Sequence, residues 1–251
     1  MQYLIYSVML VISVATIILT GNQTIQSIST SLAGAFILFF INESITHRAH
    51  LKLWWYSFRY RNQEIRLSIA YLFRIKIDNQ YLLVKSQRRN THQPPGGVYK
   101  RLPSSKTFFE EICIKEENNV NYDPNSDNDL RIRIKGKYLS RFFKWLDQAK
   151  GREISPWREF YEELLFTNIL SSENFPYIQY EFIRRKQSDI TKTYGEQFEI
   201  HVADIYELLP DDKQKKELDA LKDQDSDQFI LADENTIKHD KTIGEHSFWI
   251  I

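Results

Sequence analysis

The stretch Arg158-Glu159-Phe160-Tyr161-Glu162-Glu163 has the residue types and spacing to do chemistry. On a helix, Glu159, Glu162 and Glu163 stand at i, i+3 and i+4, so three carboxylates project from one face. Anions crowded in this way repel unless a cation is shared. One reading is a metal site made of Glu159, Glu162 and Glu163, because a hard ion such as Mg²⁺ takes oxygen ligands and also grips phosphates. The other is a solvated acidic face with an Arg158–Glu162 pair, worth about 0.3 kcal/mol. Further metal chemistry is poorly served. The histidines lack an HExxH pattern. Asp123, Asn125 and Asp127 begin like a calcium loop, but Asn128 replaces its glycine and Ile134 its closing glutamate.

The acidic stretch needs a helix beneath it, and Ser155-Pro156 supplies the start: serine caps well, and proline at the first helical position loses no needed donor. Further helices are expected over 106–115 and 138–149. Arg66 to Ile77 alternates Leu67, Ile69, Tyr71, Phe73, Ile75 and Ile77, a strand pattern that turns at Asp78-Asn79-Gln80 into a second strand, Tyr81 to Lys85. Pro94-Pro95-Gly96-Gly97 interrupts any regular element. Tyr177 to Lys186 and Gln197 to Val202 are further strand candidates. Strands and helices mixed without βαβ regularity imply an α+β sandwich.

Charge divides the chain. Lys and Arg number 33 and Asp and Glu 33, and this balance excludes a general polyanion binder and hence bulk nucleic acid as partner. The single cysteine, Cys113, excludes a disulfide framework. No charged residue occurs from Met1 to Ile41. Two uncharged stretches, about 3–20 and 24–41, flank Gly21-Asn22-Gln23 and are expected to form a transmembrane hairpin occupying 1–45. Small residues at Ser27, Ser31 and Ala35, and at Thr30 and Gly34, suit close helix contact in lipid. Arg48, Lys52, Arg59 and Arg61 then place both termini in the cytoplasm by the positive-inside rule. Residues 46–65 form an aromatic and basic linker. Its Trp54, Trp55, Tyr56 and Tyr60 suit a headgroup layer or, alternatively, the start of a core. Residues 66–251 make one domain.

These residues resemble a known family. Arg-Glu-Phe-Tyr-Glu-Glu (158–163) is similar to the second half of the Nudix box, and Pro95-Gly96-Gly97 to the turn that precedes that box. The departures are specific: the box's earlier glutamate falls on Lys150, its opening glycine on Lys144 and its late glycine on Leu165, and an insertion of about 98–150 separates the two motifs. With the hairpin in front, the chain resembles SMODS-associated Nudix proteins, effectors of bacterial CBASS antiviral systems. The resemblance implies a divergent Nudix-like α/β/α sandwich behind the hairpin in a multi-pass inner-membrane protein. It implies a domain that senses a cyclic oligonucleotide and triggers homo-oligomeric assembly and disruption of the lipid bilayer.

On that basis the candidate nucleotide contacts are Arg88, Arg89, Gln93, Gly96, Gly97, Tyr99 and Trp157. The glycine amides approach an anion closely, and the aromatics stack on bases. Arg88 and Arg89 equally end an exposed strand, and Trp157 is equally a core residue. The alternative is a membrane-anchored, Mg²⁺-dependent pyrophosphohydrolase using Glu159, Glu162 and Glu163. The degenerate box leans towards sensing over catalysis.

Overall fold

The computed structural model describes the chain apart from residues 1, 47, 87–89, 117–126 and 193–196, and apart from the side chains of 2–7 and 38–50. It divides into two compact units, Met1–Arg59 and Tyr60–Ile251.

The first unit is helical: α1 (Gln2–Leu19), α2 (Gln23–Thr46) and α3 (Arg48–Arg59). Asn22 caps α2, its Oδ1 accepting from the Thr24 N–H (3.0 Å), and Gln26 Nε2 donates to the Thr20 carbonyl (2.8 Å), which ties the turn. The transmembrane hairpin is nevertheless corrected. Among the described residues no helix is long and apolar enough to cross a membrane. Lack of charge is not the same as apolarity. The first helix has 18 residues, at the short end of the range of about 17–25 that a span needs, and the side chains of its first six residues lie outside the described ones. The second carries Thr24, Gln26, Ser27, Ser29, Thr30 and Ser31 in its first half and Glu43 near its end. The inner-membrane location and the positive-inside orientation lose their basis with the spans.

The small-residue faces also differ from expectation. Ser13, Ser29 and Ala33 are buried, whereas Ser27, Ser31, Ala35, Thr30 and Gly34 are exposed. The hydroxyls turn back on their own helices: Ser13 donates to the Met9 carbonyl (2.9 Å) and Thr30 to that of Gln26 (2.8 Å).

The second unit is α+β. Its strands and helices are β1 (Glu64–Arg74), β2 (Lys76–Ile77), β3 (Gln80–Lys85), β4 (His92–Gln93), β5 (Gly96–Val98), α4 (Lys106–Glu111), β6 (Lys115–Glu116), β7 (Arg131–Lys135), α5 (Leu139–Asp147), α6 (Trp157–Phe160), β8 (Tyr180–Gln187), β9 (Thr191–Lys192), β10 (Phe198–Leu208), α7 (Asp212–Ala220), β11 (Phe229–Asp233) and α8 (Glu234–His239). The larger sheet runs β6-β7-β1-β10-β8, with β5 also on β1 and β9 on β10. The smaller runs β11-β3-β2, with β4 on β3. The single strand expected over Arg66–Ile77 is thus two, broken at Ile75, and its pieces belong to different sheets.

Central β1 pairs in parallel with β10 on one side; on the other, β7 takes its first half and β5 its second, both antiparallel. Its odd residues, Ile65 to Phe73, are wholly buried, and Phe160 of α6 packs on Phe73 (5.3 Å between ring centroids). Its even residues meet two environments. Leu72, with Ala203 and Ile205 of β10, enters a cluster with Tyr81 and Leu83 of β3, Ala232, Ile237 and Ile250. The layer there is the small sheet with α8, not the helical layer of the expected α/β/α sandwich. Towards the other end Arg66, Ser68 and Ala70 line an open cleft.

Candidate functional site

The cleft, about 360 Å³, is walled at one end by Arg158, Glu159, Glu162 and Glu163 and floored at the other by Arg66, Ser68 and Ala70 of β1 and by His201 and Ala203 of β10. That volume lies in the lower part of the range of about 300–1,000 Å³ typical of small-molecule sites.

The acidic wall is built from an interrupted helix. Ser155 Oγ accepts from the Trp157 N–H (3.2 Å), α6 runs one turn, and Tyr161–Leu165 continues as a π turn closed by the Phe166 N–H on the Tyr161 carbonyl (2.8 Å). The widened turn changes the i, i+3, i+4 register assumed for the carboxylates. Glu162 is about half exposed, whereas Glu159 turns inward with a side chain 15% exposed.

The shared cation that three crowded carboxylates require is Arg158 itself. Its Nε and Nη2 grip both oxygens of Glu153 (3.1 and 3.2 Å), Nη1 reaches Glu159 Oε1 (2.5 Å) and Glu162 Oε2 (3.5 Å), and Nη2 also donates to the Val98 carbonyl (2.9 Å). Burial opposes the guanidinium charge, but hydrogen bonding to Glu153 and the charge of Glu159 hold its pKa above the ordinary value. Burial likewise raises the carboxyl of Glu159, with Arg158 working against that rise. Glu163 is pushed up to about 8, chiefly by burial and further by Glu159 and Glu162, although its Oε2 accepts from the Gly96 N–H (2.7 Å).

The glycines are dictated by close approach, to β1 at Gly96 and to the acidic wall at Gly97. Gly96 has φ +146°, and a Cβ there would lie 2.2 Å from the Tyr71 carbonyl oxygen. A Cβ on Gly97 would fall 2.1 Å from the Glu159 carboxyl.

The metal reading does not fit this arrangement. Among the described residues no group of three or more His, Cys, Asp or Glu side chains is placed to hold a metal ion. Glu159 is engaged by Arg158, and Glu163 is buried with its carboxyl pushed up and its Oε2 accepting from the Gly96 N–H.

The sheet end carries cations and rings. Arg66 pairs with Glu199 (3.2 Å), which also meets His201 Nε2 (3.2 Å); Arg131 pairs with Asp129 (3.0 Å). His246 stands edge to face with His201 (5.5 Å) and with Trp249 (5.1 Å), and both His246 and Trp249 line the cleft.

Of the expected nucleotide contacts, Gln93, Gly96 and Gly97 line the cleft. Arg88 and Arg89 lie outside the described residues. Tyr99 is wholly buried: its hydroxyl donates to Asp204 Oδ2 (3.0 Å) and its ring lies under the Arg152 guanidinium (4.5 Å), so it has no face left for a base. Trp157 stacks on buried Phe160 (5.9 Å) and does not line the cleft. Missed were Arg66, Ser68, Glu153, Arg131, His201, His246 and Trp249. For four of them the signal was present in the alternation of β1, β7 and β10, whose residues on the cleft face are small or polar where a covered sheet would be apolar.

The family model of the SMODS-associated NUDIX domain matches residues 64–251. The chain belongs to the SMODS-associated Nudix family. No curated protein matches it. Among solved structures it is similar to a crystal structure of a UDP-X diphosphatase, at 11% identity over 98% of this chain and 89% of that one. The TM-score is 0.24, and a likeness at that level carries no argument. Within this SMODS-associated Nudix domain the box residue replaced by Lys150 has no carboxylate to offer, and it is Glu153, three residues later, that clamps Arg158.

Proposed function

We propose that this cleft is a sensor site for a nucleotide second messenger, a cyclic oligonucleotide made by a nucleotidyltransferase of a CBASS antiviral system, and that binding promotes self-association of the chain. The family supports the setting. The observation that carries the reading is the make-up of the cleft: paired cations beside a floor of small residues and partly exposed rings. Arg66 is paired with Glu199, Arg131 with Asp129, and Arg158 with Glu153 and Glu159, so each cation is already compensated. A diphosphate substrate concentrates its negative charges on adjacent phosphates and needs a cation that this carboxylate set is not arranged to hold. Phosphodiesters of a cyclic oligonucleotide carry one charge each, spaced a nucleotide apart, and suit a cleft of separate, paired cations and partly exposed rings.

The test is a titration of the full chain with cyclic di- and trinucleotides and, separately, with nucleoside diphosphate derivatives plus Mg²⁺. Saturable binding of a cyclic oligonucleotide without product, accompanied by an increase in mass by light scattering, is expected. Metal-dependent release of phosphate or monophosphate would replace the sensor by a pyrophosphohydrolase.

A further inference from the structure

We propose that the segment Glu245–Trp249 is the base-binding wall of the cleft: a nucleobase packs in the corner between Trp249 and His246 while its phosphate lies across the sheet at Arg131. This deepens the nucleotide reading above and rests on it.

The segment is held firmly by contacts away from the cleft. Gly244 donates to the His92 carbonyl (2.8 Å), and His92 in turn donates to that of Thr242 (2.8 Å). Ser247 and Ile250 are fully buried, and Arg184 Nη2 holds the carbonyls of Trp249 (3.1 Å) and Ile251 (2.5 Å). Between these anchors His246 and Trp249 remain partly exposed and face the cleft. Such a wall is ordered before a ligand arrives, which removes the entropy cost of forming it on binding.

The ring geometry suits a flat heterocycle. The planes of His246 and Trp249 meet at 82°, those of His201 and His246 at 73°. Perpendicular rings make a corner in which a base stacks on one and meets the other edge-on, combining stacking with an in-plane hydrogen bond. The floor beside the corner is small: Ser68 and Ala70 sit in register with His201 and Ala203, and a larger residue at either would fill the space. Arg131, Ser68 and His201 form one row across three strands. Two strand spacings of about 4.8 Å put Arg131 about 10 Å from His201, the scale of one base-to-phosphate reach.

The test uses the full chain and two kinds of probe: cyclic oligonucleotides and nucleoside monophosphates, which carry a base, and ribose 5-phosphate, which does not. Trp249→Leu keeps apolar bulk and removes the ring; it should weaken binding of the base-bearing probe roughly tenfold and leave ribose 5-phosphate binding within twofold. Trp249→Phe should restore most of the affinity. Phe248→Ala, at an exposed neighbour, serves as the control for the fold of the segment. Binding by Trp249→Leu equal to that of the wild type overturns this inference and leaves the sensor reading standing. A wild-type chain that ignores cyclic oligonucleotides but binds monophosphates through Trp249 overturns the sensor reading and leaves the base wall standing. Equal losses for base-bearing and base-free probes, with the melting temperature unchanged, also overturn it, because they mark a charge or shape effect and not stacking.

Discussion

The two ends of the cleft are built on opposite principles. At the helix end most functional-looking groups are engaged by another: Arg158 by Glu153 and Glu159, Glu163 by the Gly96 N–H, and Gly97 by the space it cedes to Glu159; Glu162 is the half-exposed exception. At the sheet end the polar groups are paired too, Arg66 and His201 with Glu199 and Arg131 with Asp129, but they lie on a floor of small residues with partly exposed rings at its edge. A cluster that spends its charges on itself holds shape, whereas one spread over a flat floor leaves room for a ligand. Substitutions at the helix end should therefore move stability first, and those at the sheet end affinity first.

The largest effect is expected from Gly96→Ala. A Cβ 2.2 Å from backbone, at φ +146°, cannot be relieved by a side-chain rotation, so β5 must leave β1. A loss of more than about 3 kcal/mol in denaturant unfolding is expected. Arg158→Ala comes next. It strands Glu153 and Glu159, whose side chains are only 16% and 15% exposed. Full burial of a broken pair would cost about 3–5 kcal/mol; partial solvent access brings the expected loss to about 2–3 kcal/mol. Arg158→Lys should recover little, since an ammonium cannot grip both oxygens of Glu153 in a planar fork. A loss below 1 kcal/mol for Arg158→Ala would mean that the helix end is not held by its own ion network.

Glu163 separates the ends by pH. Its folded-state pKa of about 8 lies above its ordinary value of 4.5. Between those values the folded chain keeps a proton that the unfolded chain has released, so this group's contribution to stability is complete below about 4.5 and is lost as pH rises towards 8. Glu163→Gln, which mimics the protonated acid, should flatten that fall by a few kcal/mol. Melting curves at pH 5 and pH 8 for both proteins check it. Equal slopes would place the carboxylate in water.

The helix end was legible in the sequence and the sheet end was not, for a physical reason. Arg158, Glu159, Glu162 and Glu163 are neighbours in the chain, so their spacing shows at once, and Gly96 and Gly97 announce themselves by type. The π turn at Tyr161 and the role of Glu153 depend on packing that spacing does not encode. At the other end Arg66, Arg131, His201 and Trp249 come from distant segments, and only the strand register brings them together. The alternation of β1 marks its buried odd residues; its even residues form the floor. The N-terminal helices teach the converse: 41 residues carry no charge, yet among the described residues no helix is long and apolar enough to cross a membrane, and in the second helix hydroxyls and amides dilute the apolar run.

The smallest stability change and the clearest affinity change belong together at Arg131. Its side chain is 23% exposed and pairs with Asp129, which keeps Lys100 as a second partner (2.6 Å). Removing Arg131 therefore leaves no orphaned carboxylate, and Arg131→Ala should cost less than about 1 kcal/mol of stability. A charge-assisted contact to a phosphate is worth about twice a neutral hydrogen bond, so the same substitution should weaken nucleotide binding about tenfold. Arg158→Ala should show the opposite ratio, a large fall in melting temperature with a smaller change in affinity among the molecules that remain folded. Measuring both quantities for both variants decides the matter. If Arg131→Ala destabilises as much as Arg158→Ala and leaves affinity untouched, the sheet end is scaffold like the helix end, and the division between them disappears.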